Sequence, residues 1–229
     1  TLELALFSLF IAIVFGIPLG IYAGLKPKSK VSKTIMAGSI LGFSMPTFWV
    51  GIIFIMIFAV HLGWLPSTGR GELGTFLGIQ SSLFTANGLS HVFLPALNLA
   101  LFKMSSVIRL TRAGTREIIL QDYITFARSK GLSEEKVVLV HVLRNILIPI
   151  VTVIGLEFGS LIAFSTVTET IFAWPGMGKL IIDSIYNLDR PVIVAYLMII
   201  VTFFVFLNLL VDILYSLLDP RVRVKGANE

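Results

Sequence analysis

Long apolar blocks separated by shorter charged or polar segments run through the whole sequence. A helix of roughly 20 mostly apolar residues is long enough to cross a bilayer. Five blocks reach that length, at positions 2–25, 34–60, 92–113, 147–170 and 191–217. Pro46 interrupts the second block, where it removes a backbone hydrogen-bond donor and predicts a kink. The pattern therefore predicts an all-α, polytopic transmembrane helical bundle with five spans.

The segments between these blocks differ in charge. Segment 26–33 carries four lysines and no acidic residue, and segment 109–145 carries seven Lys or Arg residues, whereas segment 61–91 holds one Arg and one Glu. Cytoplasmic segments of membrane proteins are enriched in Lys and Arg. We therefore expect the first two segments and the basic C-terminus to be cytoplasmic. The N-terminus and segments 61–91 and 171–190 are then expected outside.

Composition supports a membrane protein and excludes several other classes. Hydrophobic residues make up 56% of the chain and charged residues 14%, with a mean hydropathy of +0.93, whereas soluble domains carry about 25% charged residues. The net charge of +5 is explained by basic cytoplasmic segments, and no basic patch with interleaved aromatic residues indicates nucleic-acid binding. The chain has no cysteine, which excludes disulfides and thiolate chemistry.

The polar segment 122–145 has the pattern of two helices joined at Gly131. Glycine can adopt the left-handed conformation that ends a helix. Ser133 can cap the next, short helix, and the acidic residues that follow it complement the helix dipole. Ala127 is small enough to allow close helix approach, and Val137, Val138 and Val140 form a short apolar surface. The residues alone leave two interpretations open: a segment lying on lipid headgroups, or a rigid lever seated in a partner's groove.

No catalytic or metal-binding constellation is found. His61 and His91 share one polar segment, but no nearby cysteine supports a metal site. The run Gly176-Met177-Gly178-Lys179 looks like the end of a phosphate loop, yet it lacks the first glycine and the final Ser or Thr that such a loop requires. We therefore predict no metal, no catalytic residue and no ATP site on this chain.

A few polar residues fall inside the apolar blocks, where charge is costly to bury. Glu157 lies in the middle of the fourth block, and Lys103 lies in the third. Asn208 and Asp212 are four residues apart in the last block, which places them on one helix face. These residues, together with Pro46, are candidates either for a translocation path or for polar contacts that fix helix packing.

Five stretches resemble the integral membrane permeases of ABC importers, specifically the dipeptide/oligopeptide/nickel branch. The resemblance covers nearly the whole chain, and Asp219-Pro220-Arg221 in the tail is also typical of it. The matching stretches, in chain order, are Gly16 to Gly24, Phe43-Ser44-Met45-Pro46-Thr47-Phe48-Trp49, Leu62 to Arg70, Gln121 to Pro149 and Thr168 to Gly178.

The sequence departs from that branch in two respects. Members normally begin with another transmembrane helix and an external segment, which are missing here, so we expect the sequence to be a piece of a longer protein. Of the general permease signature in the docking segment, only Ala127, Gly131 and Leu143 agree.

The resemblance implies a type I ABC importer permease fold in a single transmembrane domain, 1–229, with a cytoplasmic ATPase-docking loop at 114–145. The similarity is to the "B" component of such systems. It implies docking residues on that loop and an external turn near the fourth span. The docking residues are Ala127, Gly131, Leu132, Ser133, Glu134, Glu135 and Val138, and the turn residues are Trp174, Pro175, Gly176 and Gly178.

The same resemblance implies the partners and the activity. The chain would be no enzyme and would hold no cofactor, since ATP and Mg would bind two separate ATPase subunits. A second homologous permease subunit, an external substrate-binding protein and membrane lipid complete the expected partners, in the inner membrane of a prokaryote. Di- or oligopeptides are the expected substrates, with nickel or glutathione as alternatives. From other classes, an ion-coupled carrier that uses Glu157 and Asp212, or a membrane scaffold, also remains open.

Overall fold

The computed structural model describes residues 1–218, without the side chains of residues 148, 156, 157, 212 and 214–218. The basic tail residues and the Asp219-Pro220-Arg221 motif lie outside the described residues. The described chain folds into helices α1 to α9, with one β-hairpin between α3 and α4. The helices are α1 (Leu2–Leu25), α2 (Lys30–Ser44), α3 (Thr47–Phe54), α4 (Ala86–Ile118), α5 (Asp122–Ser129), α6 (Glu134–Lys136), α7 (Leu143–Ile171), α8 (Met177–Tyr186) and α9 (Arg190–Leu218).

Within the described residues, four helical segments are long and apolar enough to cross a membrane. They are Leu2–Leu25, Ala86–Ile118, Glu134–Gly155 and Arg190–Val211. Helices α2 and α3 become a fifth span only if the bent pair is counted as one. The prediction of a bundle of apolar helices is therefore confirmed. Blocks 2–25, 92–113 and 191–217 each overlap one of these segments over most of their length, whereas block 147–170 lies within α7 and overlaps Glu134–Gly155 only over 147–155.

The second predicted block, 34–60, is not one straight helix. Helix α2 ends at Ser44, Met45 is extended, and α3 begins after Pro46 and continues through a π-helical stretch to His61. The helix axis bends by 108° between the two halves. A kink was predicted here, but the break is sharper, because proline disfavours helical geometry in the residue before it as well as removing its own N–H donor.

Helices α1 and α4 pack along a stripe of small residues. A side chain added at Gly20 would place its Cβ 2.5 Å from the Cβ of Thr111, a separation that real atoms do not reach. The same holds one turn away on either side, so the two backbones approach closely, as small residues permit in membrane helices. The facing pairs are Gly16 with Val107, Gly20 with Thr111, and Gly24 with Thr115.

Two apolar clusters build the core around α4. One lies beside the β-hairpin and joins α1, α4, α7 and the turn before α8, with Leu4, Leu99, Leu161 and Trp174 among its buried members. The other lies toward the opposite end of the bundle, where Ile17, Val107 and Ile146 are buried together. Helix α9 packs against the first cluster through the partly buried side chains of Ile200, Phe203 and Leu207, although no residue in its apolar window is fully buried.

The hairpin closes the end of the bundle from which α4 starts, and we call this the hairpin end. Strands β1 (Gly74–Phe76) and β2 (Ile79–Ser81) pair antiparallel, with Phe76 opposite Ile79. Leu77 and Gly78 both have positive φ, at 49° and 81°, as a two-residue hairpin turn of the primed type requires. Helix α4 begins at Ala86, within segment 61–91.

Candidate functional site

The segment predicted to dock a partner contains α5, and Gly131 terminates that helix. Gly131 has φ +80°. Its N–H donates to the carbonyl of Arg128 at 2.9 Å, and the N–H of Leu132 donates to that of Ala127 at 3.3 Å. This is the Schellman pattern, which satisfies the last carbonyls of a helix through one left-handed residue. The predicted role of Gly131 as the helix terminator matches this geometry.

Ser133 is the N-cap of helix α6, as predicted. The Ser133 hydroxyl accepts a long hydrogen bond, 3.5 Å, from the N–H of Lys136, and Glu134 and Glu135 lie exposed in the first turn. Arg128 bridges the two helices by donating from Nε and Nη2 to the Glu134 carboxylate at 2.8 and 3.1 Å. Such bidentate pairs fix orientation, so the elbow between α5 and α6 has a defined shape.

One side of this elbow is buried, and the other is not. Ile124, Ala127 and Val137 form a small core with Leu132 packed against it. The small side chain of Ala127 lets α5 approach the helix that follows. Phe126, by contrast, is 60% exposed. Further exposed apolar side chains on the same segment are Leu120, Tyr123, Leu139 and Val140.

Two details of the predicted docking segment were wrong. The helix that opens at Ser133 is not short: α6 continues through a π-helical stretch, Val137–Val142, directly into α7. No Gly or Pro interrupts positions 134–148, so nothing stops the helix. Val137 is fully buried rather than part of an apolar surface, while Val138 is half-buried and lines a groove beside Leu139.

The turn between α7 and α8, at the hairpin end, is built around the carboxylate of Glu169. Glu169 is fully buried, and its Oε2 accepts the backbone N–H of Lys179, in the first turn of α8, at 3.0 Å. The carboxylate thus caps a helix to which it does not belong, where negative charge complements the dipole. A Cβ at Gly176 would lie 2.3 Å from the carboxylate, and one at Gly178 would lie 2.5 Å from the hydroxyl of Thr166.

Trp174, one of the residues of the predicted external turn, is buried. It is 1% exposed and belongs to the core cluster at the hairpin end. The backbone N–H of Trp174 donates to the Glu169 carbonyl at 2.8 Å, which turns the chain inward after α7. The neighbouring Ala173 and Pro175 are both exposed.

Arg70 and Glu3 connect the hairpin to α1, a contact that sequence reasoning missed. The Glu3 carboxylate accepts from Arg70, from the Ser81 hydroxyl at 2.8 Å and from the Ser82 N–H at 2.6 Å. The guanidinium of Arg70 also lies over the Trp174 ring, 5.7 Å from its centre. The signal available was a lone acid in the first span and a lone base in segment 61–91.

The break between α2 and α3 forms one wall of a crevice of about 360 Å³. Pro46 is exposed there, and α4 and α7 supply the other walls through Lys103, Phe102 and Phe164. The Lys103 ammonium donates to the Ser160 hydroxyl at 2.7 Å. Among the predicted path candidates, Pro46 and Lys103 both line this crevice.

The other path candidates are placed less centrally or lie outside the described side chains. Asn208 is exposed on α9. The backbones of Glu157 and Asp212 lie in α7 and α9, while their side chains are outside the described residues. Among the residues that the structure describes, no group of three or more His, Cys, Asp or Glu side chains could hold a metal.

A family model for the inner membrane component of binding-protein-dependent transport systems matches residues 16–224. The chain belongs to this family. It is therefore a multi-pass inner-membrane permease subunit of a binding-protein-dependent importer, whose partners include an ATPase and a substrate-binding protein. This assignment decides against the ion-coupled carrier and the scaffold.

Individual relatives agree with the family and cover almost the whole chain. The di/tripeptide transport system permease protein of Pseudomonas aeruginosa is 42% identical over 235 residues, which cover 97% of this chain and 70% of the relative. The dipeptide permease of Escherichia coli K12 is 38% identical over 240 residues, 98% and 71% of the two chains. The oligopeptide permease of Bacillus subtilis is 41% identical over 223 residues, 97% and 69%.

These relatives are permease subunits, so the resemblance to the dipeptide and oligopeptide "B" components is confirmed. The prediction that the chain is a transport component and no enzyme is confirmed by the same matches. Among solved structures, the MetNI methionine ABC transporter in an inward-facing native crystal form superposes with a TM-score of 0.71 over 94% of this chain and 91% of the other. At 17% identity this likeness concerns the fold, and it agrees with the predicted ABC importer permease fold.

Proposed function

We propose that this importer permease carries di- or oligopeptides. The support is the set of relatives at 38 to 42% identity, which are named for dipeptide, di/tripeptide and oligopeptide transport. A further relative, from Escherichia coli O1:K1, is named for glutathione transport and is 38% identical over 225 residues. Glutathione is therefore one alternative substrate, and nickel is the other alternative that the sequence resemblance implied.

The observation that carries the mechanism is the rigid elbow of α5 and α6 with its exposed apolar side. Exposed Phe126 and Leu139 lie on a polar segment whose other side is buried and locked by the Arg128–Glu134 pair. An exposed apolar patch on a defined support marks a protein-binding surface. In our proposal one ATPase subunit seats on this elbow, and two such subunits hold the ATP and Mg, with none on this chain.

The opposite end of the bundle would meet the substrate-binding protein. There the Glu3–Arg70 pair ties the hairpin to α1, and the hydrogen bond from the Gly69 N–H to the Phe172 carbonyl, 2.9 Å, ties the loop before the hairpin to the turn before α8. The basic segments argue that this end is external, with the elbow and the C-terminus in the cytoplasm.

Within the membrane, a second homologous permease subunit would complete the pathway. No residue in the apolar window of α9 is fully buried inside this chain, so the exposed side of α9 faces either lipid or that partner. ATP binding would close the two ATPases and move the elbow. The helices would then alternate between inward-open and outward-open states.

The test is ATP hydrolysis by the reconstituted complex in proteoliposomes with the ion gradients collapsed. Peptide-loaded binding protein should stimulate hydrolysis and peptide accumulation together. Phe126→Asp should weaken ATPase association about tenfold, because it places a charge in an apolar contact. Leu77→Asp, at an even more exposed apolar site at the hairpin end, is the control and should leave that association unchanged. Equal ATPase association in both variants would refute the docking surface.

A further inference from the structure

Basic side chains gather where α1, α2 and α4 meet, at the end of the bundle away from the hairpin. The hydroxyl of Ser32, in the first turn of α2, donates to the Ala23 carbonyl near the end of α1 at 3.2 Å. A Cβ at Gly24 would lie 3.1 Å from the Arg112 carbonyl of α4. These contacts bring the start of α2 beside the last turns of α4. Exposed lysines on this side are Lys28, Lys30 and Lys33.

Helix α4 adds a row of arginines. Arg109, Arg112 and Arg116 are three and four residues apart, which places them along one face of the helix. The guanidinium of Arg109 lies over the Phe43 ring, 4.5 Å from its centre. Glu117 is the nearest acid in the sequence, but it points about 100° away from Arg116 around the helix. We call these three arginines and three lysines the basic cluster.

The basic cluster is not neutralised from within the described chain. Among residues 1–218, none of its six members forms an ion pair with a carboxylate. The adjacent Lys26 is not counted with them, because it shares a groove with Glu134 and Glu135 and lies over the Tyr22 ring. The cluster therefore presents positive charge that a ligand from outside the chain can match.

Arg112 is the member whose surroundings point most directly to a ligand. Its Nε is enclosed and has no hydrogen-bond partner within the part of the chain that the structure describes, while the side chain as a whole is only partly buried. An enclosed charged donor is costly without an acceptor. Arg112 lies about 9 Å before the end of α4 at 1.5 Å per residue, beside the last turn of α1. The unmatched donor is thus level with the end of a membrane-spanning helix.

The part of α2 that follows the lysines is apolar and exposed. Ile40 and Leu41 are more than half exposed, and so is Val31 among the lysines themselves. A phospholipid joins a phosphate to acyl chains in the same order, from the end of the span toward its middle. Basic pockets between membrane-spanning helices bind the head groups of anionic lipids. A soluble anion would use the charge of this site but not its apolar face.

We propose that the basic cluster binds the head group of an anionic phospholipid, with Arg112 and Arg116 holding the phosphate and the acyl chains lying along α2. The lysines draw this lipid from the surrounding leaflet in preference to a neutral one. The bound lipid joins α2 to α4 on the side of α4 that α1 leaves open. This site goes beyond the proposed function, because it depends neither on the cargo nor on the ATPase.

Lipid binding can be measured without transport. The chain lacks cysteine, so Ala37→Cys can carry one fluorophore in a complex whose other subunits are cysteine-free. Ala37 is exposed and lies four residues after Lys33, on the same face of α2. In phosphatidylcholine nanodiscs, phosphatidylglycerol spin-labelled near the head group should quench this fluorophore at a mole fraction about tenfold lower than spin-labelled phosphatidylcholine. Arg112→Gln/Arg116→Gln should lower this preference at least about fivefold, the scale for one basic group at a membrane surface.

Three further variants separate lipid binding from folding and from net charge. Lys28→Gln/Lys30→Gln alters only exposed side chains and should also lower the preference severalfold, so the test does not depend on how well the arginine variant folds. Arg112→Lys/Arg116→Lys should retain most of the preference. Lys179→Gln/Arg190→Gln removes the same charge at the hairpin end and should leave the preference unchanged.

A lipid is distinguished from a soluble anion by competition. Inorganic phosphate should relieve the quenching no more than a chloride salt of equal ionic strength, because it has no acyl chains. Relief specific to phosphate would identify a soluble-anion site and overturn the proposal. So would equal quenching by the two lipids in the unsubstituted cluster, a preference that survives both glutamine variants of the cluster, or an equal loss in Lys179→Gln/Arg190→Gln.

Discussion

The carboxylate of Glu169 occupies the space that any side chain at Gly176 would need. The two residues are seven positions apart, and a Cβ on Gly176 would lie 2.3 Å from the Glu169 carboxyl carbon. The glycine is therefore required by a contact with the end of the preceding helix. Because the same carboxylate caps α8, the pair fixes how α7, the turn and α8 meet.

Gly176→Ala should consequently destabilise the subunit. Overpacking of this kind costs about 1–3 kcal/mol, and the loss should show as a lower midpoint in thermal or denaturant unfolding of the purified complex. Removing the obstacle in Gly176→Ala/Glu169→Ala should make the two changes strongly non-additive. Gly38→Ala is the matched control, since nothing lies within 4 Å of a Cβ there. Additive effects in the double variant would contradict the steric explanation.

Gly131→Val should impair assembly with the ATPase while leaving the subunit in the membrane. No atom lies within 4 Å of a Cβ at Gly131, so its φ of +80° alone creates strain, and a β-branched residue adopts that conformation poorly. We expect co-purification of the ATPase to fall severalfold. Gly131→Asn should retain most of it, since asparagine tolerates the left-handed region. If valine and asparagine behave alike, the elbow does not depend on this conformation.

Loss of the Glu3–Arg70 pair should loosen the hairpin. Glu3→Gln keeps an acceptor for Ser81 and Ser82 but removes the charge, whereas Glu3→Ala removes both. Amide hydrogen exchange over 74–81 should therefore rise modestly in the first variant and strongly in the second, by tenfold or more on the scale of a lost charged hydrogen bond. Exchange in α5 serves as the internal reference. Unchanged hairpin exchange in Glu3→Ala would mean that the pairing is not what holds the hairpin.

The orientation of the chain is open to single-cysteine labelling. Cysteines at Ser29 and Ser133 should react with an impermeant thiol reagent only from the cytoplasmic side, and one at Ser67 only from outside. The basic segments motivate this expectation. Modification of the Ser133→Cys protein in sealed cells would reverse the bundle and, with it, the docking proposal.

The sequence predicted those parts of the fold that depend on neighbouring residues. Helix spans follow from apolar runs, and the elbow follows from Gly131 and Ser133, because a terminator and a cap act within a few positions. Contacts across the fold could not be predicted in this way. Glu3 and Arg70 are far apart in the chain, and the inward direction of Trp174 depends on the carbonyl of Glu169.

Pro46 illustrates the boundary between the two cases. A proline inside an apolar run predicts a bend. The size of the bend, 108°, also depends on the side chains of α4 and α7 that pack beside the break. The length of the helix after Ser133 was misjudged for a related reason. A polar first turn indicated a short surface element, whereas the valines that follow it continue the helix into the membrane-spanning segment.

The glycine stripe of α1 against α4 has a mechanical consequence. Helix α4 runs about 50 Å at 1.5 Å per residue from the base of the hairpin to within four residues of α5. Beyond Pro95 no proline or glycine interrupts it until Gly114, and α1 braces it over three successive turns. Because this helix is braced against bending, a displacement of one of its ends is transmitted to the other end. Movements at the two faces of the membrane are then coupled directly, because both faces are connected to the same stiff helix.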